Sequence, residues 1–531
     1  MLKVNYDIVI LLVFCVMLEV CSENEKTDFF CNLNQEFPYP PNASYLGIHA
    51  NPRNNDLVPC TTSSNYKLSW HMLKGFGIAQ PNTFSPDGEI TYITSSQPNP
   101  EDCTVHALST KDGSELWCIS LEGVISSSIE VDFEGNLYLT TRNSIVSLFT
   151  DGTIRWLLEI SQYGSEDSSN SGIGLHFTPD GHVATLTNDG KLLLISRKDG
   201  EIISRLDIPS VYGFFNVVNL DDGINFKEFL PVPVQLDFER LFGSDTNIRF
   251  GVLAGSGGKF TNNTIGIAPN GDIYVIGGGP TTDNGALIQI RVEGAPESPS
   301  LVPGWYVVTN AGSASSPSIS PDGRWVKVTD GNSANSFQLP QNSNAVARIV
   351  NIDDCNKNTD SNPDPDICVE AFSPRLLLGP SLFATPMLNG ALHYLLEIQL
   401  ADLFNNQAPD IRFLNGEESL FEIKLPDGLQ WTSVLTITNN HIIGTATRFT
   451  ESDQKLITVT LPAKAFSELV ILDRNKGNIV FRSLITDDSS STVVIGPDSS
   501  LYVNMLAFLH ALAIDTPVVG GIIKFEPVFG N

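Results

Sequence analysis

Short apolar runs, four to eight residues long and alternating with polar positions, recur along nearly the whole chain and are separated by Pro, Asx and Gly. The pattern repeats as an apolar strand residue, then Pro/Asx-Gly, then a second apolar strand. Its copies are "FSPDGEITYI" (84–93), "VDFEGNLYL" (131–139), "FTPDGHVATL" (177–186), "IAPNGDIYVI" (267–276) and "ISPDGRWVKV" (319–328). Weaker copies stand at "PMLNGALHYL" (386–395), "TITNNHIIGT" (436–445) and "IGPDSSLYV" (495–503). Asx-Gly between alternating apolar residues predicts a β-hairpin, because glycine accepts the positive φ of the tight turn. Helical periodicity is nearly absent.

A second hairpin belongs to the same repeat. "VHALSTKDGSELW" (105–117), "IVSLFTDGTIRW" (145–156), "LLLISRKDGEIIS" (192–204) and "LVILDRNKGNIVF" (469–481) align on Gly113, Gly152, Gly200 and Gly477. Four residues later stand Trp117, Trp156, Ser204 and Phe481. On a strand of period two these side chains share one face, where Trp117, Trp156 and Phe481 are placed to pack between neighbouring sheets. The first-hairpin glycines Gly88, Gly135 and Gly181 fall 47 and 46 residues apart, the length of a four-stranded propeller blade.

The pattern therefore predicts an all-β fold, one propeller of four-stranded blades over residues 66–531, with eight blades preferred and seven the alternative. The strand pattern at "YKLSWHM" (66–72), with Trp70 in the place of Trp117, predicts closure of the ring against strands within 501–526. Long insertions at 205–262, 281–315 and 401–430 are expected as loops on the faces; a worn blade near "NLDDGINF" (219–226) is the other reading of the first.

The pairing of "DGxLYV"-type turns with "ALdxxTGxxxW"-type hairpins resembles the repeats of quinoprotein β-propellers, the family of pyrroloquinoline quinone-dependent alcohol dehydrogenases and non-catalytic relatives. The resemblance is good over 84–204, fair over 265–330 and 465–505, and poor between. It implies, for an enzyme, a vicinal Cys-Cys disulfide stacked on the quinone, a calcium ion held by Glu and Asn, and a catalytic Asp. No two cysteines are adjacent here, and no position matches the calcium or Asp motif.

Charge narrows the partners. Sixty acidic against 31 basic residues give a net of −29, which repels nucleic acid and anionic membranes. The opening "MLKVNYDIVILLVFCVMLEVCSENEK" has Lys3 before an apolar run from Ile8 to Leu18, too short to span a bilayer, and reads as a signal peptide over 1–22. No later stretch has transmembrane length. A cysteine-bearing segment, 23–65, then precedes the propeller. Export accords with six remaining cysteines in local pairs, Cys31 with Cys60, Cys103 with Cys118 and Cys355 with Cys368, although six cysteines allow fifteen connectivities. Cys103 and Cys118 are expected within a register step of facing each other across a hairpin. Asn42 and Asn262 head glycosylation sequons.

"DDCNKNTDSNPDPDIC" (353–368) spaces Asp354, Asn356, Asn358, Asp360, Asn362, Asp364 and Asp366 at alternate positions, an oxygen set suited to calcium. The preferred reading of that stretch is a solvated loop pinned by a disulfide. "GVLAGSGGKF" (251–260) is not a phosphate loop, since Phe260 replaces the required hydroxyl. His106 in "VHALS" and His510 in "LHALA" are read as packed residues in equivalent strands. These features point to a secreted, non-catalytic binding propeller with an extracellular protein or glycan partner and no cofactor, calcium remaining open. The alternative is a quinone- or calcium-dependent oxidoreductase. The central channel discriminates: convergent acids around an ion favour the enzyme, a packed plug favours binding.

Overall fold

The Asx-Gly units fold as hairpins whose turns are set by backbone handedness. Gly88, Gly135, Gly181, Gly271 and Gly323 all have φ between 70° and 90°. Asp87 fixes the first turn by accepting from Ser85 Oγ (2.5 Å) and the Glu89 amide (3.0 Å). In the worn copy "GPDSS", Ser499 adopts φ 61° where the others carry glycine.

The computed structural model describes residues 38–528 apart from 42, 122–127, 142, 161–173, 188, 216–231, 243–259, 261–263, 283, 311–315, 331–345, 358–367, 373–381, 384–392, 397–410, 416–417, 424, 451–454, 457–458, 461 and 490. Among these residues the hairpins assemble into seven four-stranded antiparallel sheets, one five-stranded sheet and a two-stranded ribbon. Each larger sheet begins with two-residue strands, among them Thr83–Phe84, Glu130–Val131, His176–Phe177, Gly266–Ile267, Ser318–Ile319, Leu382–Phe383, Thr436–Ile437 and Val494–Ile495. The fold is a β-propeller. Its ring closes as the pattern predicts: Tyr66–Met72 pairs antiparallel with Gly521–Pro527, joining the outermost strand of the last sheet to the C-terminal three.

Neighbouring sheets are held together by a repeated aromatic device. A tyrosine on the second strand packs against a tryptophan on the fourth in Tyr92–Trp117 (6.0 Å), Tyr138–Trp156 (5.9 Å), Tyr274–Trp305 (5.9 Å) and Tyr502–Trp70 (5.7 Å). The tryptophan then reaches the next sheet. Indole N–H groups of Trp70, Trp117 and Trp156 donate to the carbonyls of Thr110 (3.3 Å), Thr150 (2.9 Å) and Arg197 (3.1 Å). Their rings lie over Gly113, Gly152 and Gly200, where an added Cβ would come within 3.0, 2.8 and 2.7 Å of the indole. So the turn glycine serves twice: it takes positive φ and it leaves room for the preceding sheet's tryptophan. Ser204, at the tryptophan position of the third sheet, accepts from the Leu301 amide of the fourth (3.1 Å), and Phe481 packs edge-on against Tyr66 of the closing sheet (5.9 Å).

Several expectations change. Residues 284–310 form a long hairpin, Asn284–Ala295 with Ser298–Asn310, because alternation simply continues past the usual strand length. Residues 411–423 likewise supply two strands. The 205–262 insertion contains helices Ile208–Tyr212 and Val232–Phe242 and no strand after Asp207 among its described residues. "NLDDGINF" lies outside the described residues. His510 sits in a helix, Phe508–Leu512, since the third strand of that sheet is Gly521–Pro527 instead. The Cys103–Cys118 and Cys355–Cys368 disulfides are present. In the first, the residue facing Cys118 is His106, and Cys103 reaches it from the turn preceding the strand.

Trp156→Ala is expected to cost about 3 to 5 kcal/mol in urea denaturation, and the half-buried Trp117→Ala less. Gly200→Ala should also destabilise, because it meets both the φ of 78° and the Trp156 ring. An unchanged midpoint for either Trp156→Ala or Gly200→Ala would disprove the docking role.

Candidate functional site at the propeller axis

A first strand two residues long has one neighbour within its sheet. Its other edge faces the axis, and the backbone groups there need partners. Residues 38–62, which carry no strand alternation, supply them. The amides of Ile267, Ile319 and Ile437 donate to the carbonyls of Pro52 (2.7 Å), Arg53 (2.8 Å) and Asp56 (2.9 Å), and the Val58 amide donates back to Ile437 (2.7 Å). Asn54 Nδ2 donates to the carbonyls of Ile265 (2.7 Å) and Pro317 (3.2 Å), Asn55 Nδ2 to Ile319 (2.9 Å), and Ser44 Oγ to Ile495 (2.5 Å). A single segment touching first strands from sheets all around the ring lies on the axis.

Its path is re-entrant. Pro38 accepts from the Phe133 amide (3.2 Å) and Cys60 from the Asn439 amide (2.9 Å), both in turns that join first to second strands. Between those contacts the loop reaches the opposite end of the first strands, where the Ile48 amide donates to Ser128 Oγ (3.2 Å) and Tyr45 is hydrogen-bonded to Thr492. Four non-glycine residues among the described ones of the loop have positive φ: His49 (54°), Ala50 (69°), Asn54 (52°) and Asp56 (50°). Three are of the types that tolerate it best. Cys60 is disulfide-bonded and buried; Cys31, its expected partner, lies outside the described residues. The segment expected to precede the propeller thus fills its centre from residue 38 onward.

The axis holds a chain of buried polar groups. Tyr39 Oη donates to Glu130 Oε2 (2.5 Å), Glu130 Oε1 meets His176 Nδ1 (2.6 Å), and His176 Nε2 meets Asn54 Oδ1 (3.1 Å). Because Asn54 Nδ2 is already donating to two carbonyls, its Oδ1 is the acceptor and His176 Nε2 carries a proton. Glu130 and His176 therefore share one further proton across their bond. Burial pushes the Glu130 carboxyl and the Tyr39 phenol up; His176 and then Tyr39 oppose the glutamate's rise. Beside them Asp56 Oδ2 meets His49 Nδ1 (3.1 Å) and is raised by burial, His49 opposing. Sequence patterns missed Tyr39, Asn54, Asp56, Glu130 and His176, since no fixed spacing links them.

A quinone clamped on the axis needs the volume that residues 38–62 fill, and a cation needs convergent oxygen atoms. Glu130 and Asn54 are committed to the chain's own hydrogen bonds. Among the described residues, the one group of three or more His, Cys, Asp or Glu ligand atoms lies elsewhere, at His106, Glu115 and Cys118. These residues do not fit an axial quinone–metal centre.

The other expected site residues are dispersed. Asp354 pairs with Lys357 (2.7 Å) on the helix Ile352–Lys357. Asn356 accepts from Trp305 Nε1 (2.9 Å) and Gln289 Nε2 (3.2 Å), taking the acceptor role that the carbonyls of Thr110, Thr150 and Arg197 have elsewhere. Asn358, Asp360, Asn362, Asp364 and Asp366 lie outside the described residues, as do Asn42 and Asn262. The sequon hydroxyls Ser44 and Thr264 are buried. Among the described residues no helix is long and apolar enough to cross a membrane.

No family model and no curated protein matches the sequence. Solved structures do. A europium-containing methanol dehydrogenase superposes with a TM-score of 0.52 at 11% identity, covering 91% of this chain and 98% of its own. Quinohemoprotein alcohol dehydrogenases from Comamonas testosteroni (TM-score 0.51, 11% identity, 93% of this chain, 83% of that one) and Pseudomonas putida HK5 (0.52, 10%, 92%, 82%) are similar. The chain has the propeller fold of these quinoproteins.

Glu130→Ala is expected to destabilise by roughly 1 to 3 kcal/mol, because the Tyr39 hydroxyl and His176 Nδ1 each lose their buried carboxylate partner. Glu130→Gln keeps both hydrogen bonds and should be nearly neutral at low pH. A carboxyl raised in the folded state contributes stability that is complete below its ordinary value of 4.5 and fades as pH rises through the folded value. Glu130→Gln should accordingly remove part of the fall in denaturation midpoint as pH rises above 4.5. Identical pH profiles for the two proteins would contradict this assignment.

Proposed function

We propose that this protein is a secreted, non-catalytic propeller of eight blades that recognises an extracellular protein or glycan through loops on one face. The carrying observation is that its own residues 38–62 occupy the axis and satisfy the first strands there, so the fold's central cavity is spent on structure. Recognition then falls to the faces. The 205–262 insertion supports one face in particular. Its helix Val232–Phe242 runs to the far side of the ring, where Ser96 Oγ donates to the Leu241 carbonyl (2.5 Å), Arg240 donates to Val518, and Leu241 is buried with Leu506 and Ala507. The same insertion leaves Val211, Phe215 and Leu236 half exposed or more, apolar surface available to a partner.

Purified protein supplied with the quinone, calcium and an alcohol or sugar is expected to show no absorbance change and no dye reduction. Turnover that a chelator abolishes would establish the oxidoreductase reading instead. With a partner captured from extracellular fluid, Leu236→Asp and Phe215→Asp should weaken capture at least about tenfold, as loss of a buried apolar anchor does. Leu484→Asp, on an outer strand, should leave it unchanged; equal effects at all three positions would refute this choice of face.

A further inference from the structure

The hairpin Val105–Ser109 with Glu115–Ile119 brings together four groups that ligate soft divalent cations. His106 and Cys118 face each other across the strands. His106 Nδ1 lies 2.8 Å from Glu115 Oε1, and the ligand atoms of His106, Glu115 and Cys118 all fall within 4.8 Å of one another. Cys103 adds a second sulfur through its bond to Cys118. The imidazole is already oriented: Ser95 Oγ holds Nε2 at 2.9 Å and Phe76 packs edge-on against the ring at 5.4 Å, leaving Nδ1 turned toward the carboxylate. An imidazole fixed through its second nitrogen is the arrangement that metal-binding histidines adopt.

What withholds the site is the oxidation state. A thiolate is a strong ligand and a disulfide sulfur is not. The two described disulfides differ in access as well as in neighbours. Cys355 and Cys368 are buried, whereas Cys103 and Cys118 are both partly exposed, on a hairpin whose Glu115 faces solvent. A dithiol reaches the second bridge far more readily than the first.

We propose that reduction of the Cys103–Cys118 bridge by a dithiol converts this hairpin into a zinc site with Cys103, Cys118, His106 and Glu115 as ligands. The exchange is balanced: the S–S bond between Cys103 and Cys118 breaks, each sulfur gains one electron and one proton, and the dithiol is oxidised to its own disulfide. Zinc then displaces the two thiol protons. Two thiolates, one imidazole and one carboxylate make a closed tetrahedral set of the kind that suits zinc. In one state a covalent bridge ties Cys103 to the strand; in the other a metal ion does, so the end of the hairpin stays fastened in both.

The test uses the full chain, reduced anaerobically with a water-soluble dithiol, freed of reductant and titrated with cobalt(II) as a spectroscopic probe, then with zinc. The reduced protein should take up one cobalt per chain with a tetrahedral spectrum and a thiolate charge-transfer band. Zinc should bleach that spectrum and protect Cys103 and Cys118 from alkylation. The unreduced protein should bind neither ion. The double variant Cys103→Ser/Cys118→Ser should abolish the charge-transfer signal at this site, and Glu115→Gln, at an exposed position, should weaken zinc binding about tenfold or more. Reduced protein that takes up no cobalt, whether or not its circular dichroism is retained, overturns the proposal. So does a charge-transfer signal that survives the double variant Cys103→Ser/Cys118→Ser, which would place the metal on other cysteines.

Discussion

The inner edges of the first strands govern this molecule. A propeller brings its shortest strands to a common centre, and each arrives with backbone N–H and C=O groups that no strand of its own sheet can meet. Left dry, each such group costs about 1 to 3 kcal/mol. Here the chain's own residues 38–62 meet them, with the carbonyls of Pro52, Arg53 and Asp56 aimed at three different sheets and the side-chain amides of Asn54 and Asn55 at two of these. Positive φ at His49, Ala50, Asn54 and Asp56 is the conformational cost of pointing those groups in so many directions.

The perimeter follows a different rule from the axis. There the tyrosine–tryptophan pair of one sheet lies on the turn of the next, and the indole N–H finds a carbonyl in it, so each sheet fixes its neighbour's rotation about the ring. The N-terminal region serves both systems, since residues 38–62 hold the centre while Tyr66–Met72 completes the last sheet and carries Trp70 onto Gly113. In the proposed recognition role, an axis consumed in this way leaves binding to the faces and to the insertion that carries the helix Val232–Phe242.

The hairpins and the ring closure were legible because their signals are local: Asx-Gly turns, alternation, and a tryptophan four residues past a glycine. Gly113, Gly152 and Gly200 align in the sequence, but their second role, leaving room for Trp70, Trp117 and Trp156 of the preceding sheet, exists only in the assembled ring. His510 misled because "LHALA" matches a strand repeat in composition, while the chain uses Gly521–Pro527 for that strand. The axial network was not legible at all. Tyr39, Asn54, Glu130 and His176 meet through tertiary structure, and residues 38–62 carry only a surplus of Asn and Pro, within what the sequence marks as a cysteine-bearing segment ahead of the propeller.

Hydrogen exchange across residues 38–62 tests the central claim most directly. If this segment completes the first strands, the amide of Val58 should exchange as slowly as those of Ile267, Ile319 and Ile437, because all four are hydrogen-bonded at the axis. Exchange of Val58 at the rate of an open chain, with the sheets still protected, would contradict the account.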